Sequence, residues 1–474
     1  MAEPDAPWQP PSSDDEGETR ASPELVEEKR IIPRGKGPIG RLAITLIAPL
    51  ALMLGRSIPI PGLDLSNSVF SLHGQESARV SLLAVGISPI VQGFVFAEIL
   101  ALIVPSWRRI RLGGSADRAR LRRVALLLGF VLALVQIGTI ARTVDQPLIT
   151  FTPKEADVAA ELIAGASLFA TTIALYAITR LIDARGLGNG FAALLGSGAV
   201  IDSTVRLYRD GTTALSTVEG ASADLLFGAG LLGIMVWLTR EFLLGRAPWK
   251  RMAYGGVVVP EPPSGIHPFS WAERILVVPW TLRAVGIETP FERFAPGNPA
   301  YEIGYWVLVA LLVGIFAALF NRPALVAARS GAHPADAQRA LVRSAVQTIV
   351  FFEALIIGTH LIALQVAQGI LASVSFTSLF LIVAWAIDLV REWNARAASP
   401  DLIAIRPEQR PYAVRPLVLL LESRDVFVFA RSQFMRTVLQ FFGPHVPIEI
   451  MVPRSRCEEA EAILDADQRN FTSA

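Results

Sequence analysis

The sequence predicts an all-α polytopic membrane protein that ends in a small α+β domain. Three observations carry this. Apolar runs near the ~20 residues that span a hydrocarbon core recur from about residue 42 to 390. Lys and Arg gather in alternate loops between them. From about residue 411 the long runs give way to short segments with strand-like and helix-like periods.

The apolar runs are taken first. The chain has 474 residues, 52% hydrophobic and 18% charged, with mean hydropathy +0.46. A soluble protein of this size needs roughly 25% charged residues to cover its surface. Candidate spans fall near 40–57, 80–104, 122–141, 159–182, 190–206, 223–244, 264–283, 301–320, 341–368 and 373–391. The fifth is short and rich in Gly and Ala, and the seventh carries Glu273 and Arg274, so composition alone gives eight to ten spans.

Loop charge then sets orientation, because cytosolic loops carry the excess of Lys and Arg. Residues 1–28 are polar and acidic and cannot bury enough apolar surface to fold. Residues 1–37 are therefore read as a disordered tail, and not as a cleavable signal peptide. A basic patch, Lys29 to Arg41, precedes span one. The loop after span two holds Arg108, Arg109, Arg111, Arg118, Arg120, Arg122 and Arg123 against Asp117. Arg180 and Arg185 follow span four, Arg240 and Arg246 span six, Arg322 and Arg329 span eight, and Arg391 and Arg396 span ten. Ten spans with both termini in the cytosol fit this alternation. The membrane domain is read as 38–410 and the soluble cytosolic domain as 411–474.

That last domain reads β-α-β-α: a strand at Pro416–Glu422, a helix over about 425–442, a strand at Pro447–Val452 and an acidic helix over about 455–465. Val452-Pro453 followed by Glu458-Glu459-Ala460 resembles small ferredoxin-like signal-transducing domains.

Several function classes are disfavoured. A net charge of +1 gives no electrostatic footprint for nucleic acid. Cys457 is the one cysteine, and His73, His267, His333, His360 and His445 are scattered, so no metal or cofactor set is expected. No serine, aspartyl or zinc hydrolase motif is present, so no enzyme is expected.

Three motifs need explanation. Ile58-Pro59-Ile60-Pro61-Gly62-Leu63-Asp64 cannot continue a helix. It is either a plain helix stop or the approach to a re-entrant plug at 65–79, since non-helical backbone at membrane depth survives only inside protein or a watery cavity. Gly86-Ile87-Ser88-Pro89-Ile90-Val91 reads as a kink within span two. Arg185-Gly186-Leu187-Gly188-Asn189-Gly190 permits a sharp reversal with positive φ. It lacks the strand and Gly-Lys-Ser/Thr of a phosphate loop.

In this order the three motifs resemble the SecY family, with its Ile-Pro-Ile-Pro-Gly-Ile-Asp, Gly-Ile-Met-Pro-Tyr-Ile and Gly-Ile-Gly-Asn-Gly-Ile-Ser. Leu132 to Gln136, Asn321-Arg322-Pro323, Thr377-Ser378-Leu379 and Asp388 to Arg391 are also similar. The resemblance covers roughly 35–400. It implies two five-span halves related by an inverted pseudo-repeat around a pore, with the plug entered through Ile58, Pro59, Ile60, Pro61, Gly62 and Asp64. The family's apolar pore ring maps to Ile87, Val91, Leu195, Ala199, Ser270 and Leu381, and Gln136 becomes a lateral-gate candidate. Such a ring blocks ions by dewetting. The alternative for each ring residue is ordinary helix packing.

The implied function is a protein-conducting channel subunit in the bacterial inner membrane. Its implied partners are polypeptide substrates, lipid and small SecE- and SecG-like subunits. Two departures bear on a SecA-like motor or a ribosome. The loop at 245–264 is short, and Ser330-Gly331-Ala332-His333-Pro334 lacks the family's docking arginine. The alternatives are a specialised SecY relative that scaffolds its cytosolic tail, or a small-solute transporter, for which Glu98, Glu353 and Glu273/Arg274 inside spans would suit.

Overall fold

The structure is a computed structural model. It describes residues 37–61, 81–112, 115–144, 158–217, 221–245, 257, 259–284, 299–365, 375–442 and 446–473. Residues 37–474 form one compact unit.

The apolar part is a helical bundle. Its helices are α1 (Pro38–Thr45), α2 (Ile47–Ser57), α3 (Ser88–Ile103), α4 (Pro105–Leu112), α5 (Ser115–Val144), α6 (Val158–Arg185), α7 (Gly190–Thr217) and α8 (Ala221–Leu243). Then follow α9 (His267–Ala284), α10 (Pro299–Phe320), α11 (Pro323–Ser330), α12 (Pro334–Gln365) and α13 (Phe376–Ala398). Among the described residues, five stretches are long and apolar enough to cross a membrane: Pro38–Ser57, Asp117–Gly138, Leu162–Arg185, Ala300–Phe320 and Pro334–Ile357. Their outer faces expose large apolar side chains such as Leu127, Leu134, Val307 and Val350. A face of this kind fits lipid and not water. The chain is a multi-pass membrane protein.

Local chemistry sets the helix ends. Pro89 lies in the first turn of α3, where a missing N–H costs nothing. Span two thus begins as helix only at Ser88, and 82–87 are turns. Asn189 Oδ1 accepts from Phe191 N (3.0 Å) and Ala192 N (3.2 Å), capping α7. Ser375 Oγ accepts from Ser378 N at 3.1 Å and caps α13. Gly331, with φ +66°, closes α11.

The C-terminal part holds a three-stranded antiparallel sheet in the order β1-β3-β2, from β1 (Leu402–Glu408), β2 (Phe429–Arg431) and β3 (Ile448–Pro453). Leu402 faces Pro453 and Glu408 faces Ile448, with a bulge between Ala404 and Arg406. Helices α14 (Pro411–Glu422), α15 (Gln433–Val438) and α16 (Cys457–Ser473) accompany it. Val414, Leu417, Leu421, Ile448, Ile450, Val452, Ala460 and Leu464 make its core.

The expected strand at Pro447–Val452 and the acidic helix after it are present. The expected strand at Pro416–Glu422 is instead part of α14. Leu417 and Leu421 are buried four residues apart while Leu419 is 48% exposed, which is a helical period and not an alternating one. The expected helix over 425–442 breaks into β2, α15 and a 3-10 turn at Gln440–Phe442. Positive φ at Asp425 (56°) and Ser432 (62°) makes a continuous helix impossible. The sheet also takes its first strand from upstream of residue 411. Its antiparallel three-strand order differs from the β-α-β-α reading.

Candidate functional site

Five of the six ring candidates pack in or against one hydrophobic cluster. Ala199 on α7 and Leu381 on α13 are buried members, and Ile87, Val91 and Leu195 pack on them. Ile87 is the N-cap residue of α3, and Val91 lies one turn on. Leu195 and Ala199 are one turn apart on α7. Ser270 sits in the first turn of α9 and donates to His267 O at 3.2 Å. The cluster runs through much of the bundle, so membership alone does not single these residues out from ordinary packing.

The segment expected to lead to a plug leaves and rejoins the bundle at one place. Pro59 bridges Ser81 in antiparallel fashion, and Leu82 N donates to Ile58 O at 3.0 Å. Ile60 is 2% exposed and packs with Val85 and Leu168, while Ile58 and Pro61 are exposed. Gly62, Asp64 and the plug stretch 65–79 lie outside the described residues. Gln136 Nε2 donates to Gln92 Oε1 at 2.9 Å, which joins α5 to α3.

The intramembrane acids separate. Glu98 is buried and paired with Arg111 at 2.7 Å. Neither carboxylate oxygen of Glu353 has a hydrogen-bond partner among the described residues. Glu273 is exposed.

The C-terminal segment reaches into one end of the bundle. Ile266 N donates to Val438 O at 3.1 Å, and Phe441 and Phe442 follow. Phe441 is 1% exposed, with ring centroids 4.6 Å from His267 on α9 and 5.3 and 4.8 Å from Phe316 and Phe320 on α10. Phe442 stands 6.1 Å edge-on to Phe94 of α3, which meets Phe191 of α7 at 5.1 Å. Edge-to-face spacings of this size are favourable. The two phenylalanines therefore form an aromatic wedge touching α3, α9 and α10, and through Phe94 also α7.

A buried ionic knot holds the wedge's approach. Arg431 of β2 pairs with Glu392 (3.0 Å) and Glu449 (2.9 Å) and donates to Asp183 O and Gly186 O (both 3.3 Å) and to Gly188 O. Glu392 also pairs with Arg396 at 2.7 Å and accepts from Gly188 N at 2.6 Å. Burial alone would lower the Arg431 pKa, but Glu392 and Glu449 outweigh it and raise it. Asp388 accepts from Phe434 N (3.2 Å) and Met435 N (2.8 Å) at the start of α15. Gly188 needs its φ of +69°. At Gly190 a Cβ would collide with the Thr179 carbonyl. The glycine motif is thus a reversal, as read, and also a set of carbonyls and an N–H that the C-terminal segment grips.

Sequence reasoning missed the knot and the wedge. Glu392 and Arg396 at i,i+4 were the available signal. Nothing in the local pattern marks Arg431, whose partners lie at 183–188, 392 and 449. The C-terminal segment also packs on α11, just before the Ser330–Pro334 loop. Arg329 of α11 pairs with Asp467 of α16 at 2.8 Å, and Tyr412 and Ala413 pack with Val326 and Ala327.

Comparison with known proteins gives a consistent set of similarities. Residues 81–241 match the SecY family. The translocase subunit SecY of Streptomyces galbus is 22% identical over 335 residues, covering 60% of this chain and 75% of that protein. SecY of Synechococcus elongatus is 24% identical over 426 residues, covering 78% and 95%. A solved structure described as a protein-conducting channel is 14% identical with TM-score 0.49, over 78% of this chain and 97% of that one.

Proposed function

We propose that this chain, a divergent SecY-family protein, is the channel subunit of a system that translocates polypeptides or inserts them into the membrane. The match of residues 81–241 carries the reading. The side chains of Ile87, Val91, Leu195, Ala199 and Leu381 are apolar, as a dry constriction requires. The channel carries its substrate without covalent chemistry. Ten crossings in two inverted halves, with both termini in the cytosol of a bacterial inner membrane, follow from the basic loops after alternate spans. The C-terminal α+β part would then lie in the cytosol. Small SecE- and SecG-like subunits complete the assembly on this reading.

A specific observation favours a specialised form of this channel. The helix that leads into the loop lacking the docking arginine is held by the chain's own tail, through Arg329–Asp467 and the packing of α14 on α11, while Gly331, His333 and Pro334 stay exposed. The tail then replaces or regulates the contact of a SecA-like motor or ribosome.

The test is ion conductance of the purified protein in planar bilayers. Leu381→Asp, or Ile87→Asn, should raise leak well above the parent, because a wetted constriction conducts. Unchanged leak in both would remove the ring assignment. An outward location of the C-terminus in reporter fusions would overturn the ten-crossing topology.

A further inference from the structure

A cleft opens where three parts of the chain meet. Arg108 and Arg111 approach from α4, Arg322 from the residue before α11, Arg410 from the residue before α14, Arg436 from α15 and Gln440 from the 3-10 turn. The cleft is partly open to solvent, and about 480 Å³ of empty space, open solvent included, lies between its walls. Five guanidinium groups thus line one cavity.

Two of them have carboxylates. Arg111 pairs with Glu98 at 2.7 Å, and Arg410 with Glu408 at 2.9 Å. The other three have no ion pair among the described residues. Arg436 is 2% exposed and donates only to carbonyls: Gln409 O at 3.1 Å, Leu439 O at 2.8 Å and Gln440 O at 2.6 Å. Burial, chiefly, lowers its pKa to about 10, so it stays charged at neutral pH. Arg108 uses one nitrogen on Leu102 O at 3.0 Å, and its Nε is buried without a partner. Arg322 is exposed; its carbonyl accepts from Leu325 N and Val326 N, and its side chain has no ion pair among the described residues.

The second sign is Gln440. Its side chain is buried, at 2% exposure, and its Nε2 has no partner among the described residues. A buried donor left unsatisfied is costly. A water could satisfy that amide but brings no charge, and the five guanidinium groups outnumber the two carboxylates, Glu98 and Glu408, that act on them. An anion with oxygens on several sides does both. The planar guanidinium fork suits a phosphate, which accepts from several arginines at once.

We propose that this cleft binds a phosphate group, carried either by a soluble phosphate compound or by an anionic lipid headgroup. Its residues come from α4, from the α10–α11 junction and from the C-terminal segment. Occupancy would therefore bind the tail to the bundle beside the Phe441–Phe442 wedge. The inference does not depend on the channel reading, because it is tested by binding alone.

The experiment uses the full chain purified in a neutral detergent. Inorganic pyrophosphate is titrated while the thermal unfolding midpoint is followed, with sodium chloride at matched ionic strength as control. A parallel series uses nanodiscs of phosphatidylcholine alone or with phosphatidylglycerol. Arg322→Gln is the test variant, since this exposed side chain has no ion pair among the described residues. Arg108→Gln is the second. A rise with pyrophosphate identifies a soluble phosphate, and a rise only with phosphatidylglycerol identifies a headgroup. In either case Arg322→Gln should weaken the effect roughly tenfold, as expected for one charge-assisted bond, while its midpoint without ligand stays at the parent value. No rise from either source, a rise matched by chloride, or a rise unchanged in both variants overturns the site.

Discussion

The bundle and its junction with the C-terminal segment are held together by opposite means. Within the bundle, α3, α7 and α13 meet through apolar side chains such as Phe94, Phe191, Phe380 and Ala384. At the junction, Arg431, Glu392, Arg396 and Asp388 lie buried, with the half-buried Glu449 and the Phe441–Phe442 wedge beside them. Apolar packing tolerates exchange of one hydrophobe for another of similar volume. A buried ionic knot does not, because removing one member leaves its partners charged in a poor solvent. The difference teaches that the bundle specifies a general interior, whereas the junction specifies one docked position of the tail.

The sharpest way to break this contrast is at Glu392. It balances Arg396 and Arg431 and accepts the Gly188 N–H. Glu392→Ala should destabilise the docked tail by about 3–5 kcal/mol, seen as rapid proteolysis between β1 and α16 in the otherwise intact protein. Protease resistance equal to the parent would mean that the knot does not hold the tail. Phe441→Ala comes next, at about 3 kcal/mol for a buried aromatic. It should loosen the same segment while leaving the ion pairs in place. If the wedge also closes the bundle end, bilayer leak should rise in Phe441→Ala. Tail loosening without leak would separate docking from sealing.

Much of the bundle was legible in the sequence because its rules are local. Lipid-facing helices show themselves as apolar runs, and Asn189 and Pro89 announce helix starts through the N–H groups they cap or lack. The tail was less legible for identifiable reasons. A run such as Leu417 to Leu421 does not distinguish helix from buried strand. Pro416 pointed to a break, yet α14 carries it. Strand β1 contains Arg406, Pro407 and Glu408, residues that disguise a strand, and it lies at the sheet edge, where they are tolerated. Of the candidate site, the glycine reversal was readable as a backbone feature, whereas Gly86–Val91, read as a kink within span two, is the end of a run of turns and the start of α3. The partners of Arg431 were not readable, because side-chain pairing across more than two hundred residues leaves no periodic trace.

A smaller effect, of the same ionic kind, concerns pH. Glu408 at the end of β1 is 1% exposed. Burial pushes its pKa up, but hydrogen bonds from the Arg410 side chain and the backbone N–H groups of Gln409 and Arg410 outweigh this and hold it below the usual glutamate value. A lowered folded pKa means that this stabilisation is present above the unfolded value of about 4.3 and is lost as pH falls through the folded value. Glu408→Gln should therefore lower the unfolding midpoint at pH 7 and lose the part of the acid sensitivity that the parent shows below about pH 4.3. Parallel pH profiles for the two proteins would mean that the pair contributes nothing.

The smallest expected effect tests what the tail covers. Arg329 is nearly buried while Asp467 is about one third exposed, and they pair at 2.8 Å between α11 and α16. A pair open to solvent on one side contributes about 0.2–1 kcal/mol, so Asp467→Ala should hardly change the unfolding midpoint. Its consequence should instead appear in access. Removing Asp467 loosens the contact of α16 with α11 beside the exposed tip at Ser330–Pro334. Binding of a purified SecA-like motor to the reconstituted protein should be weak for the parent and measurably stronger for Asp467→Ala. The effect should also be salt-sensitive, as an arginine contact at a surface must be. Equal motor binding by parent and variant would mean that the tail does not mask this loop. A gain that persists in Asp467→Ala/Arg329→Gln would assign the masking to the body of α16 and not to the ion pair.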